Sequence, residues 1–140
     1  MSVQCVMAFV YRIPDNGEPV YLLLKRIPRL GGYWQPVTGF VEQNESPTQA
    51  ALREIEEETG FNDPRQIKDI DYRFSFYMES VGTRCDVDVL AVEVENAQVE
   101  LSVEHTDYRW LGYQKARALL YWENNKKTLD LLHGMLQEQP

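Results

Sequence analysis

At 140 residues the chain has the size of one domain, with room for a single buried core and too little length for two. Hydrophobic residues at 44% and charged residues at 26%, with no run near the ~20 apolar residues of a membrane span, place it among soluble globular proteins. A net charge of -8 and a pI near 4.7 exclude the basic surface that general nucleic-acid binding needs, and leave an anionic small molecule bindable only through placed Arg and Lys side chains or bound cations.

The first segment, Val3 to Arg12, is rich in β-branched and aromatic residues and predicts a strand; it lacks the basic start and small-residue cleavage site of a secretion signal. A cytoplasmic address is therefore expected. Cys5 and Cys85 both lie in apolar runs, and of the two readings open to them, a disulfide or two buried free thiols, the free thiols fit a reducing compartment better. Pro14-Asp15-Asn16-Gly17 is a turn signal, and Val20 to Lys25 follows as a second strand, which predicts a hairpin. Residues 27 to 33 form a loop, and Trp34 to Val37 a short strand.

Residues 46 to 60 carry the clearest helix signature. Ser46 is a good N-cap, Pro47 fits the first helical position, Gln49 completes a capping box, and Gly60 suits a left-handed C-terminal residue. At about 100° per residue, Glu54, Glu57 and Glu58 share one face, while Ala51, Leu52 and Ile55 share another. Further on, Ile67 to Tyr77 and Arg84 to Val94 predict strands, the second with Cys85, Val87, Val89 and Ala91 on one face. Tyr108 to Leu111 is a short strand, and 114–121 and 125–137 are helices, with Leu129, Leu132 and Leu136 at helical spacing in the last. With no repeat or linker in view, one mixed α/β domain over residues 1–140 is expected, its sheet covered by helices.

Three carboxylates at i, i+3 and i+4 repel one another unless a cation lies among them. On periodicity alone a solvated acidic face remains the simpler reading; hard oxygen ligands for Mg²⁺, with Mn²⁺ as a substitute, are the other. The surrounding chain reverses that weighting. From Gly39 it reads GFVEQNESPTQAALREIEEETGF, with Gly39, Glu45, Arg53, Glu54, Ile55, Glu57, Glu58, Gly60 and Phe61 at fixed spacing. This segment, residues 39 to 61, resembles the Nudix box at every specified position. The resemblance implies a Nudix fold, an α/β/α sandwich around a mixed β-sheet, and hydrolysis of a diphosphate linkage in a nucleoside-diphosphate-X substrate. By position it makes Glu54, Glu57 and Glu58 metal ligands, with the Gly39 carbonyl contributing from the loop. It makes Arg53 the salt-bridge partner of Glu45, bracing the loop against the helix.

Outside the box, WQPVTGFVE upstream and EHTDYRWL downstream resemble bacterial dihydroneopterin triphosphate pyrophosphohydrolases. That resemblance implies Glu104 as a further metal ligand or general base; otherwise it is one exposed acid among many. Arg26, closing the second strand, is the expected phosphate contact, and Trp34, Gln35 and Thr38 are expected on the substrate. Tyr33 and Trp34 have faces for a base or pterin ring, although a packing role suits Trp34 as well. Trp110 and Trp122 read as packing residues. With His105 and His133 the only histidines and no cysteine cluster, zinc is not expected. The substrate class that follows is a nucleoside or pterin triphosphate, with a dinucleoside polyphosphate as the rival. A nucleotide-sensing module without turnover belongs to another class, but such modules generally lack some of these glutamates. Oligomeric state stays open.

Overall fold

The computed structural model describes residues 2–138. Its first strand, β1 (Ser2–Arg12), is buried on both sides from Cys5 to Tyr11 because it lies inside the sheet. Alternate side chains feed two cores. Cys5, Met7, Phe9 and Tyr11 face one, and Val6, Ala8 and Val10 the other. The turn closes with Gly17 N–H donating to Pro14 O at 2.9 Å, and β2 (Val20–Arg26) returns antiparallel, Tyr11 opposite Tyr21.

The expected strand from Trp34 to Val37 is two strands, β3 (Trp34–Gln35) and β4 (Val37–Phe40). Pro36, with no N–H to donate, separates them, so β3 pairs with β2 while β4 crosses to pair with β1. Helix α1 spans Pro47–Thr59, then come β5 (Gln66–Met78), β6 (Thr83–Glu93) and β7 (His105–Leu111). Helices α2 (Tyr113–Leu119) and α3 (Glu123–Gln137) close the described chain. β7 begins three residues before the expected Tyr108. α2 ends two residues before the expected Tyr121, where Leu120 turns extended and buries itself.

The sheet runs β3-β2-β1-β6-β5, with β4 on β1 and β7 on β2; β1 and β6 are parallel and the other pairs antiparallel. Ala50, Ala51 and Ile55 of α1 pack against Leu22, Leu24, Leu90 and Val92 on one face. Ala116, Leu120, Leu129, Leu132 and Leu136 of the α2–α3 segment pack against Phe9, Tyr21, Leu23 and Val89 on the other. The expected α/β/α sandwich around a mixed sheet is therefore present.

One expectation is overturned. Cys5 and Cys85 are not free thiols but a disulfide. Val3 of β1 lies opposite Cys85 of β6, which places Cys5 on the same face with its Cα 6.3 Å from that of Cys85, within bonding reach. Disulfides persist in oxidising compartments, so the thiols no longer support a cytoplasmic address. Among the described residues, no helix is long and apolar enough to cross a membrane.

Candidate active site

The loop from Phe40 to Ser46 is tied to α1 at both ends. Ser46 Oγ accepts from Gln49 N–H at 3.1 Å, and the Gln49 side chain accepts from Ser46 N–H at 2.8 Å, the reciprocal capping box. Gly60 ends the helix at φ 85°, a left-handed conformation that glycine adopts without strain. Arg53 holds the middle. Its guanidinium donates to both Glu45 oxygens at 2.8 and 3.0 Å, to Phe40 O at 2.9 Å and to Glu54 Oε1 at 2.7 Å. Glu42 and Glu57 lie within 3.1 and 3.6 Å of the same guanidinium. The Arg53 hydrogen bonds, then that from Glu42 N–H, lower the Glu45 carboxyl to about 2. Arg53 is in turn held above its usual value, chiefly by Glu45.

Gly39 sits on β4 opposite Val6, under α1, and a Cβ there would collide with the Glu54 carboxylate. Glycine leaves Glu54 this place beside the loop backbone, and a larger residue would push its carboxylate aside. Glu58, one turn on, is buried. Desolvation first, then a hydrogen bond with and repulsion from Glu54, and repulsion from Glu104, raise its carboxyl to about 10, against the opposing charge of Arg26. Glu57 is on the exposed side of the same helix. Glu104, just before β7, places a carboxylate oxygen 3.5 Å from Arg26 Nη2, and its carbonyl accepts from Ile27 N–H at 3.0 Å. Arg26 and His105 are opposite one another across β2 and β7. Burial first, then Arg26, lower the His105 imidazole below its usual value.

The structure thus brings together Gly39, Glu54, Glu58, Glu104 and Arg26, with Glu57 at the rim and Arg53 behind Glu54. Among the described residues no three Asp, Glu, His or Cys side chains close around an ion position. The donor set nonetheless suits a hard cation that keeps water and takes phosphate oxygens as its remaining ligands: carboxylates crowded enough to raise Glu58, beside a glycine that admits Glu54.

Gln35 is buried and donates weakly to Thr38 Oγ1 at 3.4 Å, so the two form one unit at the β3–β4 junction. Trp34 is elsewhere: half-buried, it packs against the core beneath α2 and α3, under the Arg109 guanidinium at 5.0 Å. Tyr33 packs its ring against Tyr121 at 4.4 Å and Trp122 at 5.2 Å. Trp122 is partly exposed and packs its ring on Tyr33 and Tyr121, whereas Trp110 is half-buried and donates to Ala97 O at 2.8 Å. In the sequence His105 counts only against zinc, as one of two histidines, and Arg109 carries no signal. The signal for His105 is its place directly after Glu104.

A family model described as the NUDIX domain matches residues 4–132. The chain belongs to the Nudix family. It is a Nudix hydrolase, a class that generally uses a divalent metal. The bis(5'-nucleosyl)-tetraphosphatase [asymmetrical] of Rattus norvegicus is 34% identical over 128 residues, 90% of this chain and 86% of that protein. The dihydroneopterin triphosphate diphosphatase of Haemophilus influenzae is 27% identical over 69% of this chain and 68% of that protein. An octanoyltransferase of Myxococcus xanthus is 39% identical over 80% of this chain, but the match spans only 32% of that longer protein. Among solved structures, a C. elegans Ap4A hydrolase binary complex superimposes with a TM-score of 0.81 at 25% identity, covering 98% of this chain and 99% of the other. The E. coli dihydroneopterin triphosphate pyrophosphohydrolase does so with 0.78 at 25% identity, covering 91% and 92%.

Proposed function

We propose that this Nudix hydrolase cleaves a phosphoric anhydride in a nucleoside polyphosphate with Mg²⁺ as cofactor, and that Glu54, Glu57, Glu58, Glu104 and the Gly39 carbonyl hold the cation. The observation that carries this reading is the crowding of buried Glu58 by the Glu54 and Glu104 carboxylates, beside Arg26 and Gly39. A polyphosphate repels nucleophiles because its oxygens are charged. A divalent cation at these carboxylates would neutralise that charge and acidify water at the reacting phosphorus. Arg26, with its Nε buried and unpartnered, supplies a further positive charge for the phosphate chain. Glu57 and Glu104 are each 57% exposed, so they reach solvent and are placed to take the proton from the attacking water. Arg53 does not touch the phosphate in this scheme; it fixes the Glu54 oxygen at 2.7 Å and the loop that carries Gly39. Gln35 and Thr38, as one unit beside Gly39, border the same loop and contact the substrate there.

For the substrate's organic part, we put a dinucleoside tetraphosphate cleaved asymmetrically ahead of a nucleoside or pterin triphosphate. The tetraphosphatase relative is the more identical and overlaps more of both chains. Incubation with Mg²⁺ and a panel of dinucleoside polyphosphates, nucleoside and pterin triphosphates and nucleotide sugars, with separation of the products, tests this order. A diadenosine tetraphosphate giving ATP and AMP faster than any triphosphate turns over supports it. Pyrophosphate release from triphosphates with little tetraphosphate cleavage supports the second substrate class, and binding without turnover of any of them overturns the enzymatic reading. Glu57→Gln is expected to lower turnover by at least about a hundredfold with the unfolding midpoint nearly unchanged; wild-type rates would remove Glu57 from the site.

A further inference from the structure

His105 is almost fully buried, its side chain 3% exposed, and neither ring nitrogen has a hydrogen-bond partner. Buried polar groups are almost always satisfied, so an imidazole left this way at the start of β7 marks a contact that the working site completes. Its surroundings name that contact. The backbone is pinned by His105 N–H to Ser102 O at 3.3 Å and, next to it, by Ile27 N–H to Glu104 O. The ring is thereby aimed across the sheet face at α1, where Nε2 stops 3.5 Å from Glu58 Oε1, itself on a side chain only 9% exposed. Arg26 and Glu104 flank the pair but bond each other rather than the ring.

We propose that His105 is a positioning residue for Glu58: its Nε2–H donates to Oε1 and so fixes the rotamer in which Glu58 turns its other oxygen to the divalent cation. The inference rests on Glu58 being a metal ligand. A carboxylate that binds a cation through one oxygen gains from a donor on the other, because the donor orients it and removes its alternative rotamers. The hard-cation preference for oxygen, and the ring's aim at Glu58 Oε1, give His105 this role rather than a ligand's. The tight seat accounts for the burial: with the ring enclosed, the donor does not swing out to solvent as a lysine or glutamine on the rim would.

Mn²⁺ alone, titrated calorimetrically into wild type, His105→Phe, His105→Gln, Glu58→Gln and the double variant His105→Phe/Glu58→Gln, tests this. His105→Phe is expected to weaken Mn²⁺ binding about tenfold or more, and His105→Gln to recover part of the loss through its amide N–H. In the Glu58→Gln background the Phe substitution is expected to change little, because its partner is gone. Unchanged Mn²⁺ affinity in His105→Phe with weakened affinity in Glu58→Gln overturns the positioning role and leaves the ligand assignment standing. Unchanged affinity in Glu58→Gln overturns the ligand assignment itself. An equal loss from His105→Phe in both backgrounds overturns action through Glu58. Should the Phe variant not fold, ¹⁵N-histidine NMR of the wild-type protein with Mg²⁺ decides: the Nε2–H tautomer supports the proposal, and the Nδ1–H tautomer overturns it.

Discussion

Arg53 shows how one side chain can serve a metal site without entering it. Five hydrogen-bond donors in a planar fork reach Glu45, the Phe40 carbonyl and Glu54 at once, a geometry that lysine, with a single nitrogen, does not reproduce. The Glu45 end of this network has a consequence in pH. Its folded carboxyl lies at about 2 against 4.5 for the free group. A depressed folded value means that the stabilisation is complete above about 4.5 and is lost as pH falls through about 2. Wild type is therefore expected to be more stable than Glu45→Gln at pH 7, with the difference shrinking below about pH 4.5 and closing near pH 2. Urea unfolding midpoints of the two proteins at pH 7, 4, 3 and 2 measure it. A difference independent of pH would show that the Glu45 charge is not what Arg53 holds.

At the scale of elements, α1 is the part most legible in the sequence, because helix caps are local. Ser46, Pro47, Gln49 and Gly60 announce both ends, and the structure places each in its expected role. Ser46→Ala removes the hydroxyl that accepts from Gln49 N–H and is expected to cost about 1 kcal/mol in equilibrium unfolding, with Ser46→Asp close to wild type. An Ala variant as stable as wild type would mean that the helix start does not depend on this cap. The strand alternation of β6 was legible for the same reason: Cys85, Val87, Val89 and Ala91 share a core as their spacing predicts. What the sequence hid were features set by partners far away in the chain. Pro36 splits β3 from β4 because their partners differ, β2 for one and β1 for the other. Within the site, the box spacing pointed to Gly39, Glu54 and Glu58. The approach of Glu104 and Arg26 depends on β7 pairing with β2, and the burial of His105 follows from the same pairing. Trp34 belongs with the expected substrate contacts for its aromatic face, which suits a base or pterin ring, with a packing role open beside it. The alternation of β3 turns the two residues to opposite faces, Trp34 toward the core under α2 and α3 and Gln35 toward Thr38.

The whole molecule is closed by a bond that crosses its two most paired strands. Cys5 and Cys85 are 80 residues apart, and no local pattern relates them; only the parallel pairing of β1 with β6 brings their Cα atoms to 6.3 Å. Such a cross-link acts largely on the unfolded chain, whose freedom it cuts more as the enclosed loop lengthens. In the chain-entropy model a loop of this size contributes about 4–5 kcal/mol. Cys85 is fully buried, so a reductant reaches the bond only when the protein opens, and native protein treated briefly with reductant should keep its fold. In guanidinium with an excess of phosphine reductant, the unfolded state is reduced and released from the constraint. The unfolding midpoint is then expected to fall below that measured without reductant, while Cys5→Ala/Cys85→Ala is low under both conditions. Thiol counting in denaturant without reductant supplies the independent check, with no free thiol expected in wild type. Two free thiols and an unmoved midpoint would mean that the sulfurs, although close, stay reduced in the folded protein, and the site would then owe nothing of its rigidity to them.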